Sequence, residues 1–454
     1  MEKQEELKYE KIGRLLIKYS VPAILSMMVA SLYNTVDRAY IGSIKDVGAL
    51  AISGLGVTMP LFTILGAFCV AIAVGGSTNI SMKLGEGNKE DAEKILGNTF
   101  ALELLVGIIM VIIGFLYLDE ILYLFGASSD TITYAREYMS VIFFGAWFNL
   151  PGFALNSAIR ADGNPKFSAN MMIVGCVLNL ILDPIFIFGF NMGIKGAAIG
   201  TVLCQLLIFV WSFYYFTLGK SNLKLKRSNI KIETKIMKRI ILIALTPFFM
   251  ELASGFIYLI TNRVLKVYGG DLAIGAMTAV TSIVLLFLMP VFGMSQGMQT
   301  IIAYNYGAKQ YNRAKKTLLI SIAISTLILS VGLLVIKLWP KQLVSIFTND
   351  SNLLKLAVDG MSIYSLTLPI LGICILGTMY FQSIGSAKKS MVLSLLRQVI
   401  ILIPVIFIIP KIYGLKGVWI SQPIADIIST LIVAVFLFIE LRKSNLRSIF
   451  YDKI

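Results

Sequence analysis

Long apolar runs separated by short polar breaks dominate this chain. Twelve can be read, at about 14–42, 50–80, 94–118, 130–159, 167–189, 196–218, 238–266, 272–303, 314–338, 354–384, 390–410 and 417–441. A helix rises about 1.5 Å per residue, so roughly 20 apolar residues cross the ~30 Å hydrocarbon core of a bilayer. Every run is long enough. The pattern predicts an all-α integral membrane protein of twelve transmembrane helices. Its one long polar interruption, 220–237, holds Lys220, Lys224, Lys226, Arg227, Lys231 and Lys235. That stretch reads as a linker between a first half, 1–219, with six helices, and a second, 238–454, with six more.

The halves repeat each other. Gly193-Ile-Lys-Gly returns as Gly414-Leu-Lys-Gly, 221 residues on. Gly85 and Ala92 match Gly307 and Ala314 at an offset of 222, and Pro22, Tyr33 and Arg38 match Pro247, Tyr258 and Arg263 at 225. Three segments at nearly one offset indicate duplication of a six-helix unit. An even helix count makes the repeats parallel, related by an axis along the membrane normal.

Composition agrees with the pattern: 454 residues, 57% hydrophobic and 14% charged, against about 25% charged in soluble domains. The net charge of +15 needs no nucleic acid to explain it. Taking the amino-terminal tail, the even-numbered loops and the carboxyl tail together gives 27 Lys and Arg, against 8 in the odd-numbered loops. Basic residues collect in cytoplasmic loops, so both termini are expected in the cytoplasm of a multi-pass bacterial inner-membrane protein. The four cysteines, Cys69, Cys176, Cys204 and Cys374, lie in apolar runs without paired spacing, which suggests neither disulfides nor a metal site. The start of the chain lacks the pattern of a signal peptide.

There is no histidine, so proton chemistry falls to carboxylates. Five acids stand out well within the predicted spans: Asp37, Glu103, Asp183, Glu251 and Asp426. Each costs about 2.5–3.5 kcal/mol to insert at depth, and such residues usually face a cavity or a partner. Asn34 and Asp37 share a helical face three residues apart, and Asn179 and Asp183 share one four apart. Pro184 offers no N–H, so the Leu180 carbonyl is left without its helical donor. Carboxylates, amide oxygens and a spare carbonyl suit Na⁺, and two carboxylates in one site also favour binding a proton. The competing reading is that these side chains only bridge helices. Glu251, one turn after Pro247, reads as a coupling residue, a substrate contact or a purely structural group. For Asp426 a structural ion pair with Arg397 is expected, and Glu103 is expected to snorkel toward an interface. Pro60, Pro151, Pro290, Pro369 and Pro404 also fall inside helices, where they permit bending.

Gly219-Lys220-Ser221 resembles the end of a nucleotide-binding loop, but Tyr214 stands where its first glycine is required. With no serine elbow or zinc motif either, the chain reads as neither an enzyme nor an ATP-driven pump, and it needs no cofactor beyond a coupling ion.

Together Tyr33-Asn-Thr-Val-Asp37-Arg-Ala-Tyr-Ile-Gly42, Arg160-Ala-Asp-Gly-Asn-Pro165, Leu178-Asn-Leu-Ile-Leu-Asp183-Pro and Ala303-Tyr-Asn-Tyr-Gly307 resemble the multidrug and toxic compound extrusion (MATE) family, in its bacterial MepA-type branch. The resemblance covers nearly the whole chain. It implies two pseudo-symmetric six-helix bundles around a central cleft, exporting cationic or amphipathic organic compounds in exchange for H⁺ or Na⁺. It places the cation site on Asp37, Asn179 and Asp183, with Na⁺ as the metal they would hold, and adds Asn156 and Thr201. Glu251 matches a further coupling glutamate. The aspartate that accompanies it in some members, on the tenth helix, is missing from 375–384.

The leading expectation is therefore a monomeric, cation-coupled multidrug antiporter in the lipid bilayer, without a nucleic-acid partner. A flippase of lipid-linked oligosaccharides is the alternative. Its pyrophosphate substrate calls for a cavity ringed with basic residues, whereas more than two residues inside their ends the spans hold only Lys18, Arg38, Arg136, Arg263 and Arg397. A channel would need a pore-loop signature that is absent.

Overall fold

The computed structural model describes residues 2–44, 48–129, 131–347 and 350–451. Among them there is no strand. Twelve helices are long and apolar enough to cross a membrane: spans 1 to 12 are Ile12–Tyr33, Gly54–Gly85, Lys89–Leu124, Ile132–Ala161, Pro165–Gly189, Gly193–Thr217, Thr234–Gly270, Leu272–Gly307, Tyr311–Leu338, Ser351–Ser383, Ala387–Tyr413 and Leu415–Lys443. The helix of span 1 continues to Gly42, which brings Asp37 into its last turns. Spans 7 and 8 follow one another with only Gly270 as the break, at φ 66°.

Two compact units form, one from 1–10 and 25–251, the other from 11–24 and 252–454. Each takes one half of span 1 and one half of span 7. In the first unit the apolar core joins Ile41, Leu55, Leu65, Met139, Phe143, Phe148 and Val202. In the second, fully buried Trp419, Tyr380 and Phe381 are among the largest core side chains.

The sequence repeat is also a repeat of joints. Left-handed backbone recurs at Gly87 and Lys309 (φ 77° and 59°), at Gly163 and Gly385 (88° and 75°), and at Gly193 and Gly414 (55° and 57°). The offsets are 222, 222 and 221. The turn bond from Asn164 N–H to the Ile159 carbonyl (3.1 Å) reappears from Ser386 to Phe381 (2.9 Å). Likewise Ser168 Oγ donates to the Asn156 carbonyl (3.1 Å) and Ser390 Oγ to the Thr378 carbonyl (3.2 Å). Each serine pins the start of one span to the preceding span.

Proline breaks the helices where its missing N–H leaves the ladder open. Span 5 passes into a π-helix, Ile185–Gly189, directly after Pro184. Span 10 is interrupted by the 3-10 turn Ser365–Thr367 before Pro369, and span 11 contains the π-helix Leu396–Ile401 just ahead of Pro404.

The stretch between spans 6 and 7 is docked, as a strap on the first unit. Asp162 Oδ2 accepts from Asn222 N–H (3.0 Å) and from the Tyr215 hydroxyl (2.8 Å). Its Oδ1 accepts from Leu223 N–H (3.0 Å). Glu93 accepts from Lys224 N–H (3.2 Å), and Asn98 Oδ1 accepts from Glu233 N–H (2.6 Å). Leu223 and Leu225 are buried beneath it. At Gly97 the backbone of Asn229 comes so near that no side chain would fit.

Candidate cation-coupling site

Four residues named from the sequence meet at one place in the first unit. Asp37 comes from the end of the span 1 helix, Asn179 and Asp183 from the last turns of span 5, and Thr201 from span 6. All are buried, Asp183 completely. The carboxyl of Asp183 faces that of Asp37 and the amide of Asn179. Asn179 Nδ2 donates to Thr201 Oγ1 (3.5 Å), which is also paired with the Tyr33 hydroxyl (3.3 Å).

Two local features build this geometry. Asn179 and Asp183, one turn apart, project from the same face of span 5. Gly200 then lets span 6 approach: a Cβ there would lie 2.5 Å from Asp183 Oδ1. Neither Asp183 oxygen, nor the amide oxygen of Asn179, has a hydrogen-bond partner among the described residues. Buried polar atoms are seldom left this way, and an unmade bond costs about 1–3 kcal/mol or more for a charged group. The cluster is a set of oxygen acceptors short of donors. A proton shared between the carboxyls, or a Na⁺ ion held by carboxylate, amide and hydroxyl oxygens, satisfies such a set. No group of three or more metal-ligating acids, cysteines or histidines occurs among the described residues.

Asn156 is placed elsewhere. Its amide donates to the Ser168 carbonyl (3.1 Å) and accepts from Ser168 Oγ (2.8 Å) and Arg160 (3.4 Å). Ser168 precedes Asp183 by 15 residues in span 5, about 22 Å along the helix. Asn156 therefore belongs to the serine clamp that the second unit repeats at Thr378 and Ser390. The side chain of Asn34 lies outside the described residues.

Glu251 is exposed in span 7, and no hydrogen bond or ion pair reaches it among the described residues. Asp426 forms the expected pair with Arg397 (3.3 Å) and also accepts from Gln422 (2.9 Å) and Thr367 (3.0 Å). Glu103 does not snorkel. It is fully buried beside the backbone of Ala73. The reason is depth: 14 residues beyond Lys89 it sits about 21 Å into the helix, farther than a glutamate can reach back.

The second unit lacks the cluster. At the repeat offset of 222, Ile401 and Val405 stand for Asn179 and Asp183, and at 225 Asn262 stands for Asp37. Tyr33 and Asp162 carry no signal in the sequence beyond their membership of motifs. Gly200 carries none at all, because its role depends on which helix packs against it.

A family model described as MatE matches residues 22–185 and 247–408, one stretch in each half of the repeat. The chain belongs to the MATE family. Among similar proteins, this MATE transporter is 27% identical over 443 residues to the multidrug export protein MepA of Staphylococcus haemolyticus, covering 97% of each chain. The solved MATE multidrug transporter DinF-BH is 36% identical with a TM-score of 0.87, over 94% of this chain and 95% of that one. A MATE structure in the bent conformation matches with a TM-score of 0.92 and 22% identity, over 99% of both chains.

Proposed function

We propose that this protein is a secondary active multidrug efflux antiporter. It exports cationic or amphipathic organic compounds in exchange for H⁺ or Na⁺ by alternating access, with Asp37, Asn179, Asp183 and Thr201 as the coupling site. The observation that carries this reading is the fully buried Asp183 carboxyl, faced by the Asp37 carboxyl and the Asn179 amide, with neither of its oxygens in a completed hydrogen bond among the described residues. Binding the ion there favours one state of the carrier over the other, and the difference in affinity sets how far the equilibrium moves. The relatives' names, multidrug export protein and multidrug transporter, support the same direction and substrate class. The basic-residue asymmetry supports cytoplasmic termini in a bacterial inner membrane, and the protein is taken to act as a monomer.

The test is dye efflux by Asp37→Asn and Asp183→Asn in an efflux-deficient bacterium, and in vesicles with Na⁺ and pH gradients imposed separately. Both variants should insert normally and lose ethidium efflux, while wild type responds to one gradient and not the other. Export by both variants at the wild-type rate would remove the site assignment. Failure of wild type to move any cationic dye would remove the multidrug reading and favour the oligosaccharide flippase.

A further inference from the structure

We propose that the strap between spans 6 and 7, with the first turn of span 7, is a docking surface for acidic phospholipid headgroups. From 220 to 239 the chain carries eight basic residues and one acid, Glu233. Three of the eight are already engaged within the protein: Lys226 with Glu93 (2.5 Å), Lys231 with Glu233 (2.9 Å), and Lys224 with the Gly219 carbonyl (2.7 Å). The other five, Lys220, Arg227, Lys235, Lys238 and Arg239, are exposed, and none has an acid within ion-pair reach among the described residues.

The cause of this surplus is visible in the packing. Of the acids that hold the strap, Asp162 is turned onto its backbone N–H groups and Glu93 divides its oxygens between the Lys224 N–H and Lys226, so together they neutralise one of its side-chain charges and leave the five exposed cations untouched. The first turn of span 7 contains no acid either. Because the strap runs from the end of span 6 at Thr217 to the start of span 7 at Thr234, it lies at the level of the bilayer surface, where headgroup phosphates are concentrated. Ile232, 43% exposed between the cations, adds apolar surface to the same segment. Clusters of four to eight Lys and Arg beside a membrane span attract acidic lipid. Here the backbone is already ordered, so binding loses little to immobilising the segment.

The test uses the purified full chain in neutral detergent, titrated with short-chain phosphatidylglycerol or phosphatidylcholine and followed by thermophoresis. Wild type should bind phosphatidylglycerol at least tenfold more tightly than phosphatidylcholine, with the preference shrinking as salt rises. The variant K220Q/R227Q/K235Q/K238Q/R239Q should lose that preference while its melting temperature is unchanged. A control neutralising three exposed lysines at other span ends, K166Q/K316Q/K388Q, should keep it. Equimolar inorganic phosphate should displace none of the lipid. The proposal is overturned if the strap variant retains the preference, if the control loses it equally, or if free phosphate competes as well as lipid does.

Discussion

Span 6 packs tightly against Asp183 at Gly200, and Gly200→Ala is a one-methyl probe of that contact. The added Cβ would lie 2.5 Å from Asp183 Oδ1 and 3.5 Å from Asn179 Nδ2. An ordinary van der Waals contact begins near 3.4 Å, so the carboxylate has to retreat by about 1 Å. The crowded atom is the far end of a side chain, and turning it about 30° off its rotamer costs about 0.5–1.5 kcal/mol. Folding should survive that. Function should not, because a binding constellation tolerates displacements of only about 0.5 Å, and 1 Å in comparable positioned sites costs about 100-fold. In proteoliposomes loaded with a fluorescent cation and driven by an imposed ion gradient, we expect Gly200→Ala to transport at least tenfold more slowly than wild type, with a melting temperature lowered by no more than about 3 °C. Gly56→Ala, where nothing lies within 4 Å of the new Cβ, should transport normally. Wild-type transport by Gly200→Ala would refute the reasoning, as would a loss explained by poor folding.

Asn156→Ala should leave ion-coupled transport in place and cost about 1–3 kcal/mol of stability, since buried Ser168 and half-buried Arg160 lose an acceptor; melting and efflux measured on the same preparation separate the two effects. Lys309→Gly should stabilise the protein by about 1 kcal/mol, because Lys309 holds the left-handed backbone that glycine takes at the repeat-equivalent Gly87; thermal melting reads this directly. Asp426→Ala should destabilise by about 3–5 kcal/mol by leaving the Arg397 guanidinium uncompensated, and Asp426→Leu with Arg397→Met should recover most of the loss. A double-mutant cycle on melting temperature checks the coupling.

Hydropathy period and repeat offset are enough to place all twelve spans, because helix length in a bilayer is fixed by its thickness. Asp37 and the Asn179–Asp183 pair are also legible, since unfavourable insertion of charge singles the acids out and helical spacing joins Asn179 to Asp183, while the meeting of the two helices comes from the family resemblance. The placement of Asn156 is not. Residue type alone cannot say whether an amide faces an ion or a serine twelve residues away, and the distance along span 5 decides it. Gly200 and the docked strap are hidden for a related reason. Both depend on close approach between segments distant in sequence, which leaves no periodic trace. The burial of Glu103 turns on depth, which is countable from the start of its helix.

The strap is held largely through its own peptide groups, by acceptors that lie elsewhere in the chain at Asp162, Glu93 and Asn98, with polar side-chain ties from Asn222 and Lys226. Such a joint reads chiefly the path of the polypeptide and little of its lettering. Its residues are then free to drift in evolution, or to be exchanged by an engineer, provided the spacing of the donors and the apolar anchors at Leu223 and Leu225 persist. Proline is the substitution the joint cannot accept at 222, 223, 224 or 233, where the N–H itself is the point of attachment.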